Sequence, residues 1–161
     1  MITLHRLAEW VAAGGGSGWL PRAPGTWGSL AALLPGWWLW HLGGVTLLLL
    51  AVVALTLLGC WVSMLLLPEL VDQDPGWIVV DEWVGVWLTM VVVAVEFTLT
   101  WQWVVASFAL FRVYDIFKPW PINLLEHSGP VWWSIMADDL AAGVLAGASL
   151  LACAGFLQSI S

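Results

Sequence analysis

Two pairs of adjacent acids, Asp81-Glu82 and Asp138-Asp139, sit several residues inside apolar stretches long enough to cross a bilayer. A charged acid at the middle of a membrane helix costs about 2.5–3.5 kcal/mol on insertion scales, so four of them require a compensating partner. A bound cation is the natural one. Hard carboxylate oxygens favour Mg²⁺, Mn²⁺ or Ca²⁺ over zinc. Neighbours on a helix point about 100° apart, so within each pair one acid can ligate while the other meets a second metal, a water or a basic partner.

A second constellation carries the opposite charge. Arg112, Asp115 and Lys118 are spaced i, i+3, i+6, which lines up cation, anion and cation along one helix face. Pro119 and Pro121 then stop the helix, because proline lacks the donor and its ring clashes with the preceding turn. Upstream, Pro24-Gly25-Thr26 reads as a turn running into an N-cap at Thr26, whose free N–H groups and helix dipole would cradle a phosphate; ordinary capping explains the same string. The plainer reading of Asp115 is a structural bridge to Arg112 or Lys118, and that of the acid pairs is protonated, hydrogen-bonded helix glue. Asp72-Gln73-Asp74-Pro75 reads as a solvated turn, and His127 is the one histidine on the proposed active face, a candidate acid catalyst.

These residues must be positioned by apolar helices. The 161 residues are 61% hydrophobic and 9% charged, against about 25% charged in soluble proteins, which places the chain in a membrane as one domain. The formal charge of −7 is local, concentrated in the embedded acids and in the loop holding Glu69, Asp72 and Asp74. Cys60 and Cys153 have no Cys or His at ligand spacing and read as small packing residues; residues 1–16 do not read as a cleaved signal peptide.

The expected fold is all-α, a polytopic transmembrane bundle with four or five apolar segments: Trp27–Leu42, Val45–Leu67, Trp77–Val95, Trp101–Lys118 and Val131–Leu157. The first is short and holds Pro35, so whether it spans is left open. Residues 1–26 form an N-terminal cytoplasmic segment and loop, and 27–157 the bundle. Arg6 and Arg22 precede the first segment and Arg112 and Lys118 end the fourth, which sets the N-terminus in the cytoplasm by the positive-inside tendency. Trp37, Trp38, Trp40, Trp101 and Trp103 then fall in an outer aromatic belt and Trp27, Trp77, Trp120, Trp132 and Trp133 in an inner one, with Trp83 and Trp87 packed inside. Asp81 lies roughly 6 Å and Asp138 roughly 10 Å from the cytoplasmic helix ends, so the charges gather in one layer. Gly85, Gly143 and Gly147 would let their helices approach closely.

The blocks PGTWGS (24–29), VVDEWVGVWLTM (79–90), WQWVVASFALFRVYDIFKPWPI (101–122) and IMADDLAAG (135–143) closely resemble the phosphatidylglycerophosphatase A family of bacterial inner-membrane lipid phosphatases. The likeness runs from about Gly16 to Gly147, and FR-x-x-D-x-x-KPWPI is its most specific string. The resemblance implies Mg²⁺-dependent hydrolysis of phosphatidylglycerophosphate to phosphatidylglycerol and phosphate by a multi-pass protein at the cytoplasmic face, with membrane lipid and no nucleic acid as partners. It points to Thr26, Ser29, Asp81, Glu82, Arg112, Asp115, Lys118, Asp138 and Asp139 as the polar residues of the matching blocks.

The roles follow from chemistry. No Cys is followed at six residues by Arg and no Asp-x-Asp-x-Thr/Val occurs, which leaves water activated by metal as the attacker. Asp81, Glu82, Asp138 and Asp139 are expected to supply the metal ligands and a general base. Arg112 and Lys118 would hold the phosphomonoester, Asp115 would orient a cation or ligate metal, and Thr26 with Ser29 would offer donors. The alternative is a small cation or proton transporter, which predicts polar groups through the whole membrane depth; here the outer half is nearly bare of them. A cytidine-diphosphate alcohol phosphotransferase would need D-x-x-D-G-x-x-A-R, which is absent.

Overall fold

A computed structural model describes residues 2–71, 75–125 and 128–160; the reading of Asp72-Gln73-Asp74 and that of His127 fall outside them. Every regular element among the described residues is helical: α1 (Ile2–Ala12), α2 (Pro24–Leu66), α3 (Val80–Ala94), α4 (Trp101–Phe117), α5 (Ile122–Leu125) and α6 (Val131–Ser159), with 3₁₀ turns at Ser17–Trp19 and Leu67–Glu69. The five apolar segments all become helix, yet the expected count of four or five spans does not hold. Two helices are long and apolar enough to cross a membrane, Pro24–Glu69 and Val131–Ser159. With 15 and 17 residues, α3 and α4 reach about 22 and 26 Å, short of a hydrocarbon core of about 30 Å.

The first two segments join in one 43-residue helix interrupted at Gly43 (φ −149°, ψ 18°) and Gly44 (φ 65°, ψ −158°). Gly44 takes a backbone conformation that a side chain would strain. The chain folds back there. Gly28 faces Val79 while Gly59 faces Val80 and Met136, so both lie at the level where α3 begins. In a straight helix residues 28 and 59 would be about 46 Å apart. Breaking at the glycine pair turns α2 into two antiparallel arms, in line with the division of the sequence into one segment that ends at Leu42 and another that begins at Val45.

α3 is the hub, in contact with α2, α4 and α6. Apart from Asp81, Glu82 and Thr89 its residues are apolar or glycine on every side, and Val80, Val84, Val86, Trp87, Met90, Val91 and Val93 are all buried, as a helix so rich in apolar residues requires. Trp87 reaches across to donate from Nε1 to the Ala32 carbonyl at 2.8 Å, and Trp37 donates to Leu99 at 2.9 Å. Trp87 is thus a core residue, as expected; Trp37 ties α2 to the start of α4 as well as facing outward. Leu34, Leu42, Leu50 and Leu57 on α2 are more than half exposed, an apolar surface suited to lipid.

α3 and α6 approach each other closely. A Cβ on Gly143 would come within 2.5 Å of the Gly85 carbonyl oxygen, and Thr89 Oγ1 donates to both the Gly85 and Gly143 carbonyls, at 3.0 and 3.2 Å. Backbone meets backbone at that crossing. It sets how deep the acids of α3 and α6 lie beside each other. At the same end, α1 is anchored by His5 Nε2 at 3.5 Å from Glu69 and by the Val79 N–H on the Ala12 carbonyl.

Candidate active site

One cavity, of about 530 Å³, opens where α2 and α3 begin, α4 ends and α6 makes its first turns. Its wall includes Asp81, Glu82, Arg112, Asp115, Lys118, Asp138 and Asp139. Helix geometry explains the gathering. Asp81 and Glu82 occupy the first turn of α3, where the positive end of the helix dipole favours carboxylates. Asp138 and Asp139 are about two turns into α6 and almost fully buried.

Oxygens of Asp81, Glu82 and Asp139 come within 4.8 Å of one another. Glu82 Oε2 is buried without a hydrogen-bond partner, an arrangement that leaves desolvation uncompensated. Three hard oxygen donors from two helices, one of them orphaned, fit a divalent cation such as Mg²⁺. Asp138 stands apart. Its Oδ2 accepts from Lys118 Nζ at 2.8 Å and its Oδ1 from the Asp139 N–H at 3.0 Å. The α6 pair therefore splits in the way adjacent helix positions allow, one acid toward the other carboxylates and one toward a base.

Arg112 binds Asp115 through Nη1, and the same nitrogen lies 3.9 Å from Glu82 Oε1 and 3.5 Å from Ser29 Oγ. Ser29, fully buried, donates in turn to the Gly25 carbonyl at 2.7 Å. Arg112 Nε is buried without a partner. Asp115 thus makes the bridge that the plainer reading assigned it, and also faces the cavity. Lys118 ends α4 in the left-handed region (φ 40°, ψ 56°), a conformation that costs a residue with a Cβ about 1–2 kcal/mol and here turns the chain while Nζ reaches α6.

The predicted N-cap is displaced. α2 starts at Pro24, whose fixed φ suits the first helical position, and Ala23 (φ 50°) precedes it; Thr26 therefore sits inside the first turn and is not part of the cavity wall. Pro24 and Gly25 are the residues of that block which line it. Gly25 was not singled out from sequence, although a Cβ there would collide with Glu82 Oε1 and lie 3.2 Å from Arg112 Nη1. Its only signal was the Pro-Gly dipeptide, which reads equally well as a turn. Ser134, Ile116, Val131 and Ile135 also line the cavity and carried no chemical signal in the sequence.

The profile of the family described as Phosphatidylglycerophosphatase A matches residues 10–154. The chain is 40% identical over 145 residues to the Phosphatidylglycerophosphatase A of Haemophilus influenzae, covering 90% of this chain and 87% of the relative. It is 38% identical over 140 residues to that of Escherichia coli, covering 87% and 79%. A Bacteroides thetaiotaomicron protein, provisionally described as a phosphatidylinositol-3-phosphatase, is 41% identical over 140 residues, covering 83% and 85%. No solved structure matches the chain.

Proposed function

The chain belongs to the phosphatidylglycerophosphatase A family, and from that premise we propose that the cavity hydrolyses phosphatidylglycerophosphate to phosphatidylglycerol and inorganic phosphate. In the reaction, water adds to phosphorus and the bond from phosphorus to the glycerol oxygen breaks. One observation carries the reading: Asp81, Glu82 and Asp139 converge beside Arg112 in a cavity large enough for a phosphoglycerol headgroup.

Asp81, Glu82 and Asp139 are the residues that would hold Mg²⁺. Bound there, the ion would supply neutralisation of phosphoryl charge and activation of water. Arg112 offers its planar fork to the phosphomonoester, and Asp115, Ser29 and Glu82 fix the plane in which that fork is presented. Lys118 adds a point charge at the rim, held in place by Asp138. Gly25 exposes backbone near the positive end of α2 without a side chain to crowd Glu82. Thr26 is left to shape the first turn of that helix.

Multi-pass insertion in the bacterial inner membrane, with the cavity on the cytoplasmic side, is supported by the two long apolar helices and by the basic residues. Arg112 and Lys118 line the cavity, Arg22 stands two residues before Pro24, the first residue of α2, and Arg6 lies on α1 at the same end. That asymmetry matches the positive-inside tendency.

The test is phosphate release by the purified protein in detergent from phosphatidylglycerophosphate, with and without Mg²⁺. Metal-dependent turnover is expected. No turnover, together with cation or proton flux in vesicles, would replace this reading with the transporter.

A further inference from the structure

The cavity wall changes character where α4 meets α6. Ile116 in the last turn of α4 and Val131 and Ile135 in the first turns of α6 line it with hydrocarbon. Ile116 is also 62% exposed, so it belongs at once to the cavity and to the outer surface. The two helices are held together along this seam by Lys118 on Asp138 and by the Tyr114 and Ser149 hydroxyls at 2.8 Å.

From Ile116 an exposed stripe runs back along α4 through Val113, Ala109, Val105 and Trp101. Steps of three and four residues keep it on one helix face, and it carries no charge. At 1.5 Å per residue it extends about 22 Å from the cavity mouth. A polar chamber that opens onto an uncharged track of this length has the form needed by a ligand with a phosphorylated head and hydrocarbon tails.

We propose that the acyl chains of the lipid phosphomonoester leave the cavity past Ile116 and lie along the α4 stripe, so that Ile116 is a determinant of preference for long-chain substrate. This rests on the phosphatase reading above. Continuity with the cavity favours lipid as the occupant over a second copy of the chain, which would cover the stripe without reaching the chamber.

The experiment compares kcat/KM for dipalmitoyl and dihexanoyl phosphatidylglycerophosphate in detergent with Mg²⁺, for the unaltered protein, Ile116→Asn and Leu57→Asn. Leu57 is an equally exposed residue on the second arm of α2, away from the cavity wall. The long-to-short ratio should fall about tenfold in Ile116→Asn, the effect expected from losing the contacts of one apolar side chain. It should stay within about twofold in Leu57→Asn. An unchanged ratio in Ile116→Asn, or an equal fall in Leu57→Asn, overturns the proposal. An unchanged ratio with a smaller oligomer gives the stripe to a second copy and overturns it too. Absence of turnover by the unaltered protein on either substrate would instead remove the phosphatase reading on which the proposal stands.

Discussion

Lys118 Nζ sits 2.8 Å from Asp138 Oδ2, and this pair takes the first acid of α6 away from the group that its neighbour Asp139 joins with Asp81 and Glu82. Two adjacent aspartates, alike in sequence, thus meet different partners because they leave the helix about 100° apart.

That division separates two variants. Asp139→Asn should lower phosphate release at least about 100-fold and raise the Mg²⁺ concentration needed for half-maximal rate. Asp138→Asn should leave the Mg²⁺ requirement within about threefold and act mainly on KM, since it weakens a contact of Lys118 rather than removing a metal ligand. Titrating Mg²⁺ for both decides; equal shifts would place Asp138 in the metal group.

Binding of the ion can be seen without turnover. Mg²⁺ at about 100 times its dissociation constant should stabilise the folded protein by roughly 2.7 kcal/mol, read as a raised unfolding temperature in detergent. Glu82→Gln should lose most of that rise, because the orphaned Oε2 becomes an amide nitrogen or a weaker neutral oxygen. A full Mg²⁺-dependent rise in Glu82→Gln would move the ion elsewhere.

Gly25→Ala should fold, since alanine is favoured over glycine in a helix by about 1 kcal/mol, yet lose activity. The added Cβ displaces the far end of Glu82, a flexible group, from its place beside Arg112. Rate and unfolding temperature measured on the same sample check this; normal turnover would show that Glu82 need not hold its position.

Gly143→Ala should behave differently. Its Cβ would meet the backbone of Gly85, which has no side chain to swing aside, so α3 and α6 must separate. Overpacking of this kind costs about 1–3 kcal/mol, and both unfolding temperature and activity should drop together. Activity retained at unchanged stability would mean that the crossing does not set the spacing of the acids.

Arg112→Lys tests geometry rather than charge. Nη1 serves Asp115, Glu82 and Ser29 at once, which an ammonium on a flexible stem does not reproduce. A fall of roughly 10- to 100-fold in kcat/KM is expected, the loss of one hydrogen bond to a charged group at about 1.5–3 kcal/mol. Full activity would reduce the residue to a point charge.

The helices were legible from local rules. Five apolar segments, the glycine pair at 43–44, and the stripe of Arg112, Asp115 and Lys118 follow from hydropathy and periodicity, and the structure has each of them as helix, break or cavity wall. Reading each segment as a span failed for α3 and α4 because the helices themselves run only 15 and 17 residues, shorter than the apolar segments that contain them, and apolar character does not separate a span from a helix packed among others, as α3 is. The start of α2 was misplaced by three residues because Thr26 is a good cap in isolation, whereas Pro24 already had the backbone angle for the first turn.

By itself the sequence determined which charged residues exist, which helix face bears them and that they gather at one end, since these depend on order along the chain and on the helical repeat. Only the tertiary structure decided that Asp139 joins the acids of α3 while Asp138 holds Lys118, and that Gly25 rather than Thr26 faces the chamber. Those choices depend on the rotation and separation of neighbouring helices, fixed where Gly143 rests on Gly85, and no local rule contains a contact between residues so distant in the chain.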